Sequence, residues 1–443
     1  MKRFVPFVLL LILSLTACNN QPIGSSNNDN SSPSIEQPAA SYLERIQNMA
    51  DIGITIDSDD QTIAETAAYD ENAPLGSVAH PLSNSESDYL EILTFEQPTQ
   101  YGDAYLIKVG DATIAIDFGN SSQQDYSDNS TYFDVMKDTY DAYLNNGHLD
   151  LLILTHPHAD HYGGYPAMKE ATKSIGMIVD YGYNYYYREQ NYRRDVVDYY
   201  VNMGTEYHRI YDMVNEQDNG QKRTYVTSEL FIDWLDTGYY SENFNDGAMV
   251  DDLNVTSLAG ILAYRDFTYF FSGDLQNNPD GYGGTGGNGE TSLVQINNAN
   301  PEIFHEVTMM KAAHHGSSKG GNDVLLDVLE PKIVTISAGA PYATTYYNGK
   351  TGVCGGHPHL QTLTRYLTKG RKRTIPKVYL NFVNGTTSFV TDGINKVYMA
   401  GSPLRMSYEG SYLNNEIHRN HGSILDLYND ITTTEWGQVC HGL

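Results

Sequence analysis

Residues 156 to 161 read His-Pro-His-Ala-Asp-His, placing three imidazoles and a carboxylate within six positions. Imidazole nitrogen and carboxylate oxygen are ligands of zinc and of harder ions such as manganese. One tight turn cannot aim all four groups at one ion. His156 and His158 are therefore expected to face one metal, and Asp160 and His161 a second. Two ions about 3.5–4 Å apart acidify a water held between them, giving a bridging hydroxide nucleophile near neutral pH. Turn-capping or core roles would account for one histidine more easily than for three. Further ligand types lie downstream: Asp274 in FFSGD, the pair His314-His315 in KAAHHGSS, and His357 in GGHPH.

Groups this crowded need stiff elements to aim them. The run LDLLILT, residues 149–155, has the apolar character of a strand buried on both faces, and the cluster follows its C-terminal end. Upstream, 89–97 alternates as a strand, and 104–119 reads as two strands joined at Gly110-Asp111. A helix is predicted over 130–147, where Phe133, Met136, Tyr140 and Leu144 share one face before Asn146-Gly147 stops it. A short helix over 167–173 and a strand over 175–179 follow. Ten tyrosines crowd residues 181–211 with little periodicity, which marks an insertion. Strands are expected at 230–235, 255–264, 267–271, 307–312, 332–337, 378–382 and 387–390, with a helix at 359–367. Six glycines between Gly281 and Gly289 mark a loop. It lacks the Lys-Ser/Thr ending of a phosphate-binding loop and is better read as a flap beside the site. Many strands with a few interleaved helices predict an α/β architecture of layered sheets.

THPHADH is similar to the HxHxDH signature of the metallo-β-lactamase fold superfamily. The rest follows in order. GDAYLIKVGDATIAIDFG resembles the family's opening hairpin, ending in a structural aspartate at Asp117. FFSGDL matches the element that carries the metal-bridging carboxylate, at Asp274. KAAHHGSS matches the late histidine motif, and GGHPH resembles an element of the branch containing the ComEC extracellular-type domain and phosphorylcholine esterase. The resemblance covers about residues 89–392 and implies a four-layer αββα sandwich. It also implies two divalent metal ions, zinc or manganese, held by His156, His158, Asp160, His161, Asp274 and His315. Asp160, His314 and His357 would act in catalysis, with His314 as an oxyanion contact, and Asp117 would orient the ligand turn. The superfamily usually places another histidine between the first motif and the bridging aspartate. Here only His208 stands there, so the first metal could instead be completed by water or substrate. The implied activity is hydrolysis of a phosphodiester or phosphate ester. Lactones, thioesters and β-lactams are alternative substrates, and a binding or scaffold protein without the chemistry is the competing class.

The chain opens MKR, continues with an apolar stretch from Phe4 to Leu13, and closes on LTAC at Cys18. That is the layout of a secretory leader, far short of the roughly 20 residues of a spanning helix. LTAC resembles a bacterial lipobox, which implies a lipid anchor at Cys18 on the outer face of the cell membrane. The Asn/Ser/Pro-rich segment that follows cannot bury a core and reads as a tether. The expected organisation is a leader at 1–18, a tether at 19–85, a hydrolase domain at 86–400 with a Tyr-rich insertion at 181–226, and a tail at 401–443. His418 and His421 in that tail are expected at the surface, and Cys354 and Cys440 could pair or stay free. Net charge is −28, or −30 once Lys2 and Arg3 leave with the leader. Such acidity disfavours nucleic acid and favours a small or cell-wall phosphoester, although Arg188, Arg193, Arg194 and Lys319 could offset it locally. The tyrosines could hold a cation or stack on sugars, or serve as half-buried structure.

Overall fold

The computed structural model describes residues 50–55, 89–97, 101–119, 131–182, 190–215, 222–240, 252–279, 286–338, 343–347, 350–353, 357–367, 376–381, 386–394 and 396–401. The chain divides into two units, Met1–Ala39 and Ala40–Leu443, and all described residues lie in the second. The leader, Cys18, Arg188, Cys354, Cys440, His418 and His421 fall outside the described residues. Among those described, no helix is long and apolar enough to cross a membrane.

Two large sheets organise this unit. The first contains β1 (Ala50–Thr55), β2 (Leu90–Thr94), β3 (Ala104–Val109), β4 (Ala112–Phe118), β5 (His148–Ile153), β6 (Ser174–Asp180), β7 (Glu206–Arg209), β19 (Thr387–Thr391) and β20 (Lys396–Gly401). Their spatial order is β1-β20-β19-β2-β3-β4-β5-β6-β7. The second contains β8 (Arg223–Tyr225), β9 (Leu230–Leu235), β10 (Ala259–Tyr264), β11 (Phe267–Phe271), β14 (Met309–Lys311), β15 (Ile333–Ile336) and β18 (Lys377–Leu380). It runs in the order β18-β15-β14-β11-β10-β9-β8. Two small hairpins complete the set, β12 (Asn277–Asn278) with β13 (Gly287–Asn288), and β16 (Ala343–Tyr347) with β17 (Lys350–Val353).

The layering follows from side-chain alternation. Successive strand residues point to opposite faces, so Leu106, Ala115, Leu152 and Ile178 pack with Phe133, Met136 and Tyr140 of the helix Thr131–Tyr143. Their neighbours Ile107, Ile114, Ile116, Leu151, Ile153 and Val179 pack instead with Ile232, Trp234, Leu262, Tyr269 and Phe271 of the second sheet. That sheet's other face (Ile261, Phe270, Met310, Val334) meets Leu293, Leu325, Leu326 and Leu363, which come from helices. Helix, sheet, sheet, helix is the expected αββα sandwich. A fully buried aliphatic or aromatic side chain contributes roughly 1.5–3 kcal/mol relative to exposure, which makes these three cores the main stabilising term.

Several sequence expectations need correction. Within the stretch read as a tether, Ala50–Thr55 pairs antiparallel with β20 at the sheet edge. The Tyr-rich insertion is ordered where described: β7 extends the first sheet parallel to β6, and Tyr192 and Tyr200 lie inside the core. Tyr207 donates to Asp180 while Arg193 stacks on its ring, so the described tyrosines mostly build structure. Residues 183–189 lie outside the described set. The segment 253–256 is a 3₁₀ turn capped by Asp252 rather than the start of a strand. The glycine-rich stretch ends in β13 and the unforeseen helix Gly289–Asn297. A second unforeseen helix is Asp323–Leu329.

Candidate metal centre

The site forms where strand ends converge. Asp117 is the last residue but one of β4, and His156 follows β5, which lies parallel to it. Asp274 follows β11, the His314-His315 pair follows β14, and Ser337 follows β15, three strands that run parallel. The carboxyl ends of such strands are where open α/β sheets bind ligands. Asp103 precedes the antiparallel β3 and so arrives at the same edge, its backbone N–H donating to the Asp160 carbonyl at 3.1 Å. Gly273, at φ 47°, lets the chain turn beside the ligand loop; a Cβ there would lie 2.5 Å from Thr155 Oγ1. His314 and His315 both hold left-handed backbone, φ 48° and 50°. Such strain persists where surrounding structure over-determines it, often at functional sites.

Asp274 is the hub. His161 Nε2 lies 3.2 Å from its Oδ1, and His315 Nε2 3.3 Å from its Oδ2. His314 Nε2 and His156 Nε2 approach that same Oδ2 at 3.6 Å and 3.8 Å. Asp160 Oδ2 is 3.2 Å from His315 Nε2 and 3.9 Å from His161 Nε2. His158 Nδ1 is 3.0 Å from His156 Nε2. Donor atoms of His156, His158 and Asp274 fall within 4.8 Å of one another, as do those of Asp103, His161, Asp274 and His315. All six expected metal ligands thus gather at one place. His357 is buried beside them, its ring 4.9 Å from His314 and 6.1 Å from His315.

Behind the ligands lies a layer of supports. Asp117 accepts from the Thr155 backbone at 2.8 Å, from the Thr155 hydroxyl at 2.7 Å and from His161 Nδ1 at 2.8 Å. His315 Nδ1 donates to the Ser337 carbonyl at 2.9 Å. Asp103 faces the Nδ1 atoms of His315 and His161 at 3.4 Å and 3.7 Å, and pairs with the buried Lys311, which also bonds the Gly273 carbonyl. Sequence reasoning missed Asp103 and Lys311. The one available signal was a lysine interrupting the apolar strand before His314-His315.

Charges follow these contacts. Burial opposes a charge on His161, but Asp274 and Asp117 outweigh it and push the imidazole up to about 10. His315 is likewise raised, by Asp274 and Asp103 against burial. His156 moves the other way, held neutral by burial and by its histidine neighbours. Burial brings His314 down to about 4, with Asp274 only partly opposing. His357 is lowered by burial and by His314. Burial would raise Asp274, but the adjacent imidazoles keep it well below the usual carboxylate range.

His208 is not part of this assembly. It sits on β7, its Nε2 2.6 Å from Glu206. The described basic residues that could have served nucleic acid are engaged as well: Arg193 with Asp180 and Asp198, Arg194 with Asp195, and Lys319 with Asn278.

The donor set fits divalent metal: imidazoles with outer partners, carboxylates between them, and a shared aspartate. His161 Nε2 and Asp274 Oδ1 are buried 3.2 Å apart with no hydrogen bond to any other group among the described residues, an arrangement that a cation between them would satisfy. Fold and centre together define a metal-binding αββα sandwich. A sequence profile for the metallo-beta-lactamase superfamily (Lactamase_B) matches residues 98–340, more than half of the chain. The protein belongs to that superfamily.

Among solved structures, Bacillus subtilis YhfI, a metallo-beta-lactamase fold protein, is 12% identical over 56% of this chain and 86% of its own, with a TM-score of 0.31. A diphosphatase from the PhnP family is 10% identical over 68% and 97%, with a TM-score of 0.34. Human tRNase Z, short form, is 10% identical over 55% and 91%, with a TM-score of 0.31. At these scores the likenesses add nothing to the profile match. No curated protein matches.

Proposed function

We propose that this chain is a dinuclear-metal hydrolase of phosphate esters, phosphodiesters first, working outside the cytoplasm from a lipid anchor at Cys18. The observation that carries the reading is Asp274, one buried carboxylate facing ligands for two ions. When bound, two divalent ions, zinc or manganese, would supply an acidified water and Lewis-acid polarisation of the ester. The chain's own residues do the rest. Asp117 and Ser337 fix the ring orientations of His161 and His315, and Thr155 ties the ligand turn to β4. His357 is neutral and buried, and its Nδ1 has no partner among the described residues, which would leave that atom for a substrate. The phosphoester class rests on the resemblance of GGHPH to an element of the ComEC-like and phosphorylcholine-esterase-like branch. A net charge of −28 favours a small or cell-wall phosphoester over DNA.

The test combines metal content with a panel of chromogenic esters: nitrophenyl phosphodiester, nitrophenyl phosphorylcholine, nitrocefin and a lactone. Two ions per chain and chelator-sensitive phosphodiester hydrolysis are expected. Two bound ions with no turnover on any ester would turn the reading into a binding protein. For the anchor, palmitate labelling of the wild type and its loss in Cys18→Ser are expected; unlabelled, soluble wild type would remove it.

A further inference from the structure

The first metal position has an evident gap. His156 and His158 provide two imidazoles, and the single histidine between His161 and Asp274 in the sequence, His208, is paired with Glu206 on β7. His314 can be read more closely. Its Nδ1 lies 2.6 Å from Gln276 Oε1. The Gln276 amide has one consistent orientation, because its Nε2 donates to Asp252 Oδ2 at 2.8 Å and a carboxylate only accepts. Asp252 is itself pinned: Asn278 Nδ2 donates to the same oxygen at 2.6 Å, and the Asn254 backbone N–H to Oδ1 at 3.2 Å. Gln276 Oε1 is therefore an acceptor, and His314 donates to it through Nδ1. A neutral imidazole donating from Nδ1 carries a bare lone pair on Nε2. That nitrogen lies 3.6 Å from Asp274 Oδ2, an oxygen faced from the two sides by His156 Nε2 at 3.8 Å and His315 Nε2 at 3.3 Å. Among the described residues the second position already gathers Asp103, His161, Asp274 and His315, whereas the first has only His156, His158 and Asp274.

We propose that His314 supplies the third histidine of the first metal position, with Gln276 and Asp252 as positioning residues that fix its tautomer. The inference rests on the dinuclear reading above. It gives His314 a different part from the oxyanion contact expected from sequence, because a nitrogen without a proton cannot donate to developing negative charge. Metal-binding histidines almost always give their other N–H to an outer partner. His161 with Asp117 and His315 with Ser337 follow that pattern here, and His314 with Gln276 makes a third case.

The test loads the full chain with zinc, and in parallel with cobalt as an optical probe. Wild type is expected to hold two ions, His314→Ala one, and His357→Ala two. Cobalt absorption should fall in His314→Ala. Gln276→Leu, which keeps the imidazole and removes its acceptor, should weaken the looser ion about 10- to 100-fold and leave the other ion's affinity unchanged. The metal-free thermal midpoint records separately the stability lost with the bonds to His314 and Asp252. Two ions at wild-type affinity in both His314→Ala and Gln276→Leu would overturn the assignment. Loss of an ion from His357→Ala alone would transfer the role to His357. A wild type that binds no ion would overturn the dinuclear reading, and this inference with it.

Discussion

The two flanks of Asp274 are built on different principles. On one side His161 and His315 are clamped from behind by Asp117, Asp103 and the Ser337 carbonyl, and Lys311 holds Asp103 in turn. On the other, His156 and His158 lean on each other at 3.0 Å, and the nearest outer contact of His156 Nδ1 is the Thr155 hydroxyl at 3.3 Å. The clamped flank therefore arrives preorganised, its carboxylates balanced by protonated His161 and His315 and by Lys311; the other rests on neutral His156 and is open. Supports of this kind typically account for 10- to 100-fold in metal affinity. The second position is accordingly expected to bind tightly, and the first to fill last and exchange fastest.

The largest effect tests what the flanks share. Asp274→Ala should empty both positions and abolish turnover, because each loses its common ligand. Metal analysis of the purified variant checks it. Retention of either ion at wild-type affinity would show that the flank concerned does not depend on the hub.

Asp117→Asn should then separate the flanks. An amide nitrogen cannot accept where the carboxylate takes three donors. The second ion should weaken about 10- to 100-fold, and the metal-free fold should lose about 1–3 kcal/mol for buried donors left unpaired. Competition with a chromophoric chelator measures both ions. Equal weakening of the two would dissolve the distinction between clamped and open flanks.

Proton linkage sharpens the contrast. Without metal His161 is pushed up to about 10 and His315 is also raised, so both hold protons at pH 7. A cation entering there must expel them, and apparent affinity at the second position rises with pH, about tenfold per unit for each proton released. His156 is lowered and already neutral, so binding on that flank expels no proton from it. Calorimetry in two buffers of different ionisation enthalpy counts the protons released per ion. The same count for both ions would contradict the charge asymmetry.

Much of this was legible in sequence, for a physical reason. His156, His158, Asp160 and His161 share one turn, so their spacing alone carries the geometry. Strands such as β4 and β5 announce double burial by apolar runs. Asp103, Lys311, Gln276 and Asp252 were not legible: each is a common residue whose meaning lies in a partner far along the chain, as with Asp103 and Lys311. The helices Gly289–Asn297 and Asp323–Leu329 were hidden by a glycine-rich start and by shortness. The tyrosine insertion misled because tyrosine serves core and surface alike. Tyr200 buries its ring and spends its hydroxyl on the Thr172 carbonyl at 2.6 Å, a use that composition cannot distinguish from a ligand platform.

The smallest expected effect completes the comparison. If the open flank were finished from the sheet edge, His208 would be the residue to do it. Its Nε2 is instead 2.6 Å from Glu206 Oε1, both partly exposed on β7. A polar contact in that setting is worth at most about 1 kcal/mol, so His208→Ala should cost little stability. It should leave two ions per chain, with affinities within about twofold of wild type, since substitutions away from a site rarely move it by more than ~0.5 kcal/mol. Chelator competition on His208→Ala beside His314→Ala makes the comparison direct. Loss of the looser ion from His208→Ala would mean that β7 reaches the centre when metal is bound, and that the open flank is completed by a movement of the sheet edge.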